Sequence, residues 1–223
     1  MCRVWFEVTF QEACHTTQRA LSRMKTLFFG LLLPFIFDHF PGTVPPTQPV
    51  DHLHLPGLIA FNGQTFRLNL STQPTPNYVR QEYLPTDKPA DGYHNLFMLS
   101  VITNGQTVDE TVATQVQRLT DIQQDDLTVN YRVRKDTLTD TATLDFVWRA
   151  NSDDTDPVIE WNAYRFEPYT SPTGQKGVLT VGNRRRAYGD DIVPFLDVFQ
   201  TERPQILSSL TVFRTTVVAL TNQ

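Results

Sequence analysis

The amino-acid order predicts an α+β fold: an antiparallel sheet of about six to eight strands packed with two main helices. Three observations carry this. Short segments of β-type alternation, separated by Gly, Pro, Asn and Asp turns, recur from Leu58 to Tyr188. A single capped helix pattern interrupts them at Thr107. A second apolar stripe follows Asp190-Asp191 and runs toward the C-terminus. Strands joined by short turns pair antiparallel. The order strands, helix, strands, helix then predicts one sheet with helices packed on one face.

The first strand is Leu58-Ile59-Ala60-Phe61, ended by Asn62-Gly63, a strong hairpin-turn dipeptide. From Thr65 to Leu70 the chain alternates, with Phe66, Leu68 and Leu70 on one face and Arg67 and Asn69 on the other. A turn at Pro74 and Pro76 leads into Val79–Leu84, which stops at Pro85. Residues 93–102 (YHNLFMLSVI) are apolar on both faces, the pattern of a central strand.

Thr107-Val108-Asp109-Glu110 is a capping box, in which the Thr107 hydroxyl and the Glu110 carboxylate each accept a backbone amide of the other residue. Val108, Val112, Val116 and Leu119 recur at helical spacing, and the helix should end near 121–124. Four strand patterns follow. Leu127, Val129, Tyr131 and Val133 alternate with polar residues, and Leu144, Phe146 and Trp148 alternate with Asp145 and Arg149. Residues 158–166 (VIEWNAYRF) and 178–188 (VLTVGNRRRAY) complete the set. Asp190 or Asp191 can cap the second helix, with Pro194 in its first turn, where a missing donor costs nothing. Ile192, Phe195, Leu196 and Phe199 form its apolar face, and Pro204 is expected to break or kink it.

The N-terminal third reads differently. Met24-Lys25-Thr26 precedes an eleven-residue apolar run, Leu27 to Phe37. One positive charge before a short apolar core is the pattern of a secretory signal peptide, too short for a spanning helix of about 20 residues. No A-x-A-like pair follows it. The expected organisation is an unused extension over 1–23, a signal peptide over 24–40, a Pro-rich linker over 41–57, one domain over 58–214 and a tail over 215–223. Both cysteines, Cys2 and Cys14, lie upstream of Met24. The expected product is a thiol-free periplasmic or secreted domain that stands on its core alone. The full chain's formal charge of −5, with no Lys/Arg tract, argues against nucleic acid as a partner. No stable membrane insertion is expected after signal cleavage.

Four groups of residues bear on chemistry. Asp51, His52 and His54 form the one metal-like cluster after Met24, a weak one because two imidazoles lack a third fixed ligand. No G-x-S-x-G elbow and no Gly-rich phosphate loop is present, and His94 sits in an apolar run that suits a structural histidine. Asp145, Glu160 and Tyr164 could build a ligand or hydrolytic site if they shared a cleft. Arg184-Arg185-Arg186 is the densest positive patch; alternation sends Arg184 and Arg186 one way and Arg185 the other. The nearby acids Glu160, Asp190 and Asp191 could pair with it, or it could face a partner.

From Gln81 onward the motifs Gln81–Pro85 (QEYLP), Glu160–Phe166 (EWNAYRF), Gly182–Tyr188 (GNRRRAY) and Glu202–Leu207 (ERPQIL) resemble uncharacterised exported proteins of Gram-negative bacteria. The resemblance covers about residues 58–214. It implies a PsbP-like α/β/α sandwich, with helices on both sides of the sheet. It also implies a binding or assembly module without catalytic residues or cofactor. The expected function is therefore a non-enzymatic binding module with a protein partner, in one form an immunity or accessory protein. Arg184, Arg185 and Arg186 are the expected contact. The alternative is a small-ligand carrier or hydrolase using Asp145, Glu160 and Tyr164.

Overall fold

Eight strands form one antiparallel sheet in the order β1-β2-β3-β4-β8-β7-β6-β5 in a computed structural model, which describes residues 49–55, 57–87, 94–150 and 157–215. The strands are β1 (Leu58–Phe61), β2 (Gln64–Thr75), β3 (Tyr78–Pro85), β4 (Asn95–Ile102), β5 (Asn130–Asp136), β6 (Thr141–Arg149), β7 (Val158–Thr170) and β8 (Lys176–Tyr188). Helix α1 (Val108–Asp125) lies between β4 and β5, and α2 (Ile192–Val212) follows β8. The extension at 1–23, the signal peptide at 24–40 and the stretch 216–223 lie outside the described residues. Two four-stranded meanders thus meet along β4 and β8, and α1 carries the chain from the middle of the sheet to its far edge. That seam explains why residues 95–102 are apolar on both faces: β4 has strand neighbours on both sides and packed layers above and below.

The helices lie on opposite faces. Val108, Val112 and Leu119 of α1 pack with Ala142, Leu144, Phe146, Phe166 and Val178. Ile206, Leu207 and Leu210 of α2 pack with Phe61, Phe97, Leu99, Trp161, Ala163, Leu179 and Val181. On β6, β7 and β8 the even-numbered residues therefore face the α1 side and the odd-numbered ones the α2 side. Packing on one face, expected from element order, is corrected to a helix on each. The cause is the sheet itself, which is apolar on both sides across β4, β7 and β8 and needs two covers. Among the described residues, no helix is long and apolar enough to cross a membrane.

The capping box forms as its spacing requires: Glu110 N donates to Thr107 Oγ1 at 3.2 Å, and Thr107 N donates to Glu110 Oε2 at 2.8 Å. Elsewhere local chemistry overrides periodicity. A bulge between Leu68 and Leu70 reverses the phase of β2, so Leu70 leaves the Phe66 face and is exposed. β5 starts at Asn130 rather than Leu127, because Asp126 Oδ1 accepts from both the amide and the hydroxyl of Thr128 and holds a turn there; Leu127 is 90% exposed. Neither Asp190 nor Asp191 caps α2 through its side chain; a 3₁₀ turn over Gly189–Asp191 leads into it. Nor does Pro204 end α2. The carbonyl it leaves without an amide belongs to exposed Gln200, where water can reach it, and Arg203, Ile206 and Leu207 anchor both flanks.

The C-terminal end of the Pro-rich stretch is also corrected. Residues 51–55 are docked on the domain rather than extended away from it. Leu53 is fully buried, and Asp51 accepts from Leu53 N at 3.1 Å, Leu55 N at 2.8 Å and Gln81 Nε2 at 2.8 Å. Gln81 Oε1 in turn accepts from the Tyr83 hydroxyl at 2.7 Å. Burial, seconded by the Asp51 charge, pushes the Tyr83 phenol well above its usual range, so it stays a donor. Asp51→Ala removes the common acceptor of this network. We expect a loss of about 2 kcal/mol in urea unfolding and faster proteolysis near His54, whose backbone is already left-handed at φ 51°.

Candidate functional site

Strand register builds a concentrated polar cluster across β6, β7 and β8. β7 and β8 pair so that Glu160 lies opposite Arg186, Asn162 opposite Arg184 and Tyr164 opposite Gly182. β6 adds Trp148 opposite Glu160. All these residues are even-numbered, so their side chains share the α1 side of the sheet. They sit at the sheet end where β8 finishes, where Trp148 and Tyr164 also pack against the apolar cluster under α1.

Glu160 is the hub, and it is 1% exposed. Its Oε1 accepts from Asn162 Nδ2 at 2.9 Å and from Trp148 Nε1 at 3.0 Å, and lies 3.3 Å from Arg184 Nε. Its Oε2 accepts from Arg186 Nε. Asn162 Oδ1 accepts from Arg184 Nε and from the Tyr164 hydroxyl, each at 2.9 Å. Burial pulls the Glu160 carboxyl upward most strongly, but Arg184 and Arg186 together with the hydrogen bonds outweigh it and hold it below the usual carboxylate range. A carboxylate held by so many donors is a fixed anion. It holds two guanidinium groups in place.

Tyr164 owes its position to a glycine. A Cβ on Gly182 would stand 2.7 Å from Tyr164 Cδ1 and 3.1 Å from Met98 Cε. The ring fills that space, and Leu84, Leu96 and Met98 form a small buried cluster against it.

The other sequence-selected residues are distributed elsewhere. Arg185 projects to the α2 side and pairs with Glu202. Asp145, expected on a polar strand face, is buried on that same side; Arg203 Nε and Nη2 grip it at 2.7 and 2.9 Å, and Trp161 Nε1 donates to it at 3.3 Å. Asp145 therefore cannot share a cleft with Glu160 and Tyr164, which are on the opposite face, and the three-residue ligand or hydrolytic site does not assemble. Asp51 spends its oxygens on Leu53, Leu55 and Gln81. Among the described residues no three His, Cys, Asp or Glu side chains gather as metal ligands, so Asp51, His52 and His54 do not form a cluster. His94 lies edge-on to Tyr188, with ring centroids 5.3 Å apart.

Sequence reasoning missed Asn162 and Trp148 as members of the cluster, and Arg203 and Glu202 as partners. Period-two spacing on β7 (160, 162, 164) carried the signal for Asn162. The α2 contacts join residues 58 and 17 positions apart, and nothing local announces them.

No curated protein and no solved structure matches this chain. A family model matches residues 53–214. The match opens at Leu53, the fully buried residue of the docked segment, and closes just beyond α2. It spans the whole described sheet and both helices, and the chain belongs to that family, an uncharacterised one.

Proposed function

We propose that the protein is an exported, periplasmic, non-enzymatic binding module, and that the Arg184–Arg186 end of β8 meets a protein partner. The observation that carries this reading is the way Glu160 holds Arg184 and Arg186. Their side chains are 15% and 28% exposed, while the carboxylate beneath them is 1% exposed. Two cations fixed from below reach a partner with little rotamer entropy left to lose. Arginine so held suits recognition of carboxylates on another protein. The resemblance to exported proteins and the apolar run after Lys25 support the compartment. An immunity or accessory role is one form of the same reading.

The test is capture with the full chain expressed from its own start. We expect a specific protein to be retained from periplasmic extract and released by rising salt. We expect it to be lost with Arg186→Gln, a variant whose thermal midpoint is checked in parallel. Retention that is indifferent to both salt and the substitution, or a protein found only in the cytoplasm, overturns the proposal.

A further inference from the structure

On the α2 side, at the same end of the sheet, a cleft of about 270 Å³ is lined by Asn62, Gln64, His94, Asn95, Arg185, Glu202 and Gln205. These come from the β1–β2 turn, the start of β4, β8 and α2. Among the described residues every lining side chain is polar, which is unusual for a cleft formed where a helix packs on a sheet. The polarity of its floor is fixed by one backbone group. The Leu96 carbonyl accepts from Asn183 at 3.1 Å, so that atom must be the amide nitrogen Nδ2. The same nitrogen donates to Asn95 Oδ1 at 2.7 Å, which makes the other end of Asn95 a donor. Asn95 Nδ2 then donates to Gln64 Oε1 at 2.5 Å, which leaves Gln64 the two N–H donors of Nε2, with no side-chain acceptor among the described residues. At the rim, Asn62 Oδ1 accepts from Ser209 Oγ at 3.0 Å, which ties the turn to α2. Among the described lining residues, Arg185 and Glu202 bond each other and cancel in charge, with the imidazole of His94 beside them in the wall.

We infer that this cleft binds a small neutral polyhydroxyl ligand of the size of one sugar ring. Size sets the first limit: at about 270 Å³ the cleft falls just below the ordinary ligand range of about 300–1,000 Å³, so only a small molecule fits. Charge sets the second. A carboxylate or phosphate entering it would meet Glu202, and a cation would meet Arg185, each already neutralised by the other. Hydrogen-bond character sets the third. Gln64 offers donors, Glu202 offers an acceptor oxygen beside the one Arg185 takes, and the amide of Gln205 offers both. Hydroxyl groups, which donate and accept at one atom, match that mixture; a purely anionic or purely cationic group does not. The cleft faces away from Arg184 and Arg186, so the inference stands apart from the proposed protein contact.

The decisive variant is Gln64→Glu, which keeps an acceptor for Asn95 Nδ2 and abolishes the free donor. Gln205→Ala, on the exposed side of α2, serves as a second variant with little risk to folding. Neutral sugars (methyl glucoside, methyl galactoside, N-acetylglucosamine), with sodium acetate and inorganic phosphate as charged probes, are titrated into the full chain while the side-chain amide resonances are followed. We expect at least one sugar to shift the Gln64, Asn95 and Gln205 amides saturably in the millimolar range. We expect its affinity to fall about tenfold or more in Gln64→Glu and to weaken in Gln205→Ala, with neither anion saturating. The proposal is overturned if no sugar saturates with the wild-type spectrum intact, if acetate or phosphate saturates the same resonances, or if Gln64→Glu binds as well as wild type.

Discussion

Gly177→Ala should destabilise the domain by about 3 kcal/mol or more, seen as a fall in thermal midpoint of about 10 °C. Gly177 is the second residue of β8, next to the Val178 that pairs with Ile102 at the end of β4. An added Cβ would stand 1.7 Å from the Ile102 carbonyl oxygen, 2.7 Å from its carbon and 2.8 Å from Thr103 Cα. All three atoms are backbone, so no side-chain rotation relieves the clash. The strands must separate at the seam that joins the two halves of the sheet. Gly182→Ala, five residues on, is the matched control. Its Cβ meets the side of the Tyr164 ring and Met98 Cε, which are side-chain atoms that can shift, where the atoms facing Gly177 are backbone. Its cost should be nearer 1–2 kcal/mol, with a change in Tyr164 fluorescence or ring shifts that Gly177→Ala does not share while folded. Equal stability of the two variants in urea would contradict the seam argument.

That seam marks where sequence reading stops. The strands with local closure were legible: Asn62-Gly63 announces the first hairpin, and the Thr107–Glu110 box fixes the start of α1 to the residue. The central place of β4 was legible too, because a strand buried on both faces has no polar phase to hide. Long-range choices were not. That β8 returns to pair with β4 depends on α1 carrying the chain across the sheet, and no local pattern encodes a crossover. The phase of β2 failed at Asn69 because a one-residue bulge exchanges faces without changing composition. Asp145 and Glu160 show the same limit at the site. Both are acids on strands with alternating neighbours, yet one is gripped by α2 and the other by β8, on opposite faces. The register of β6 against β7 decides this, and register is a property of the assembled sheet.

Glu160→Gln should cost about 3 kcal/mol at neutral pH, and the gap to wild type should close as the solution is acidified. The substitution keeps the shape but leaves Arg184 and Arg186 without the buried anion that faces them from β7. Removing one partner of a buried ion pair is expensive, on the order of 3–5 kcal/mol, and the partial exposure of both arginines puts this case at the low end. The pH dependence follows from the depressed carboxyl. Its folded pKa lies below the ordinary value of 4.5, so the wild type's advantage is fully present above that value. As pH falls through 4.5, the unfolded chain takes up the proton first, and the advantage drains away until the folded carboxyl is protonated as well. Below that point wild type and Glu160→Gln should unfold alike, since a protonated glutamate and a glutamine are close in shape and both lack the charge. Urea midpoints for the two proteins from neutral pH downward measure the difference directly. A gap that stays constant through the acid range would mean that Glu160 contributes packing rather than charge. The two arginines would then owe their positions to Asn162 and the strand pairing instead.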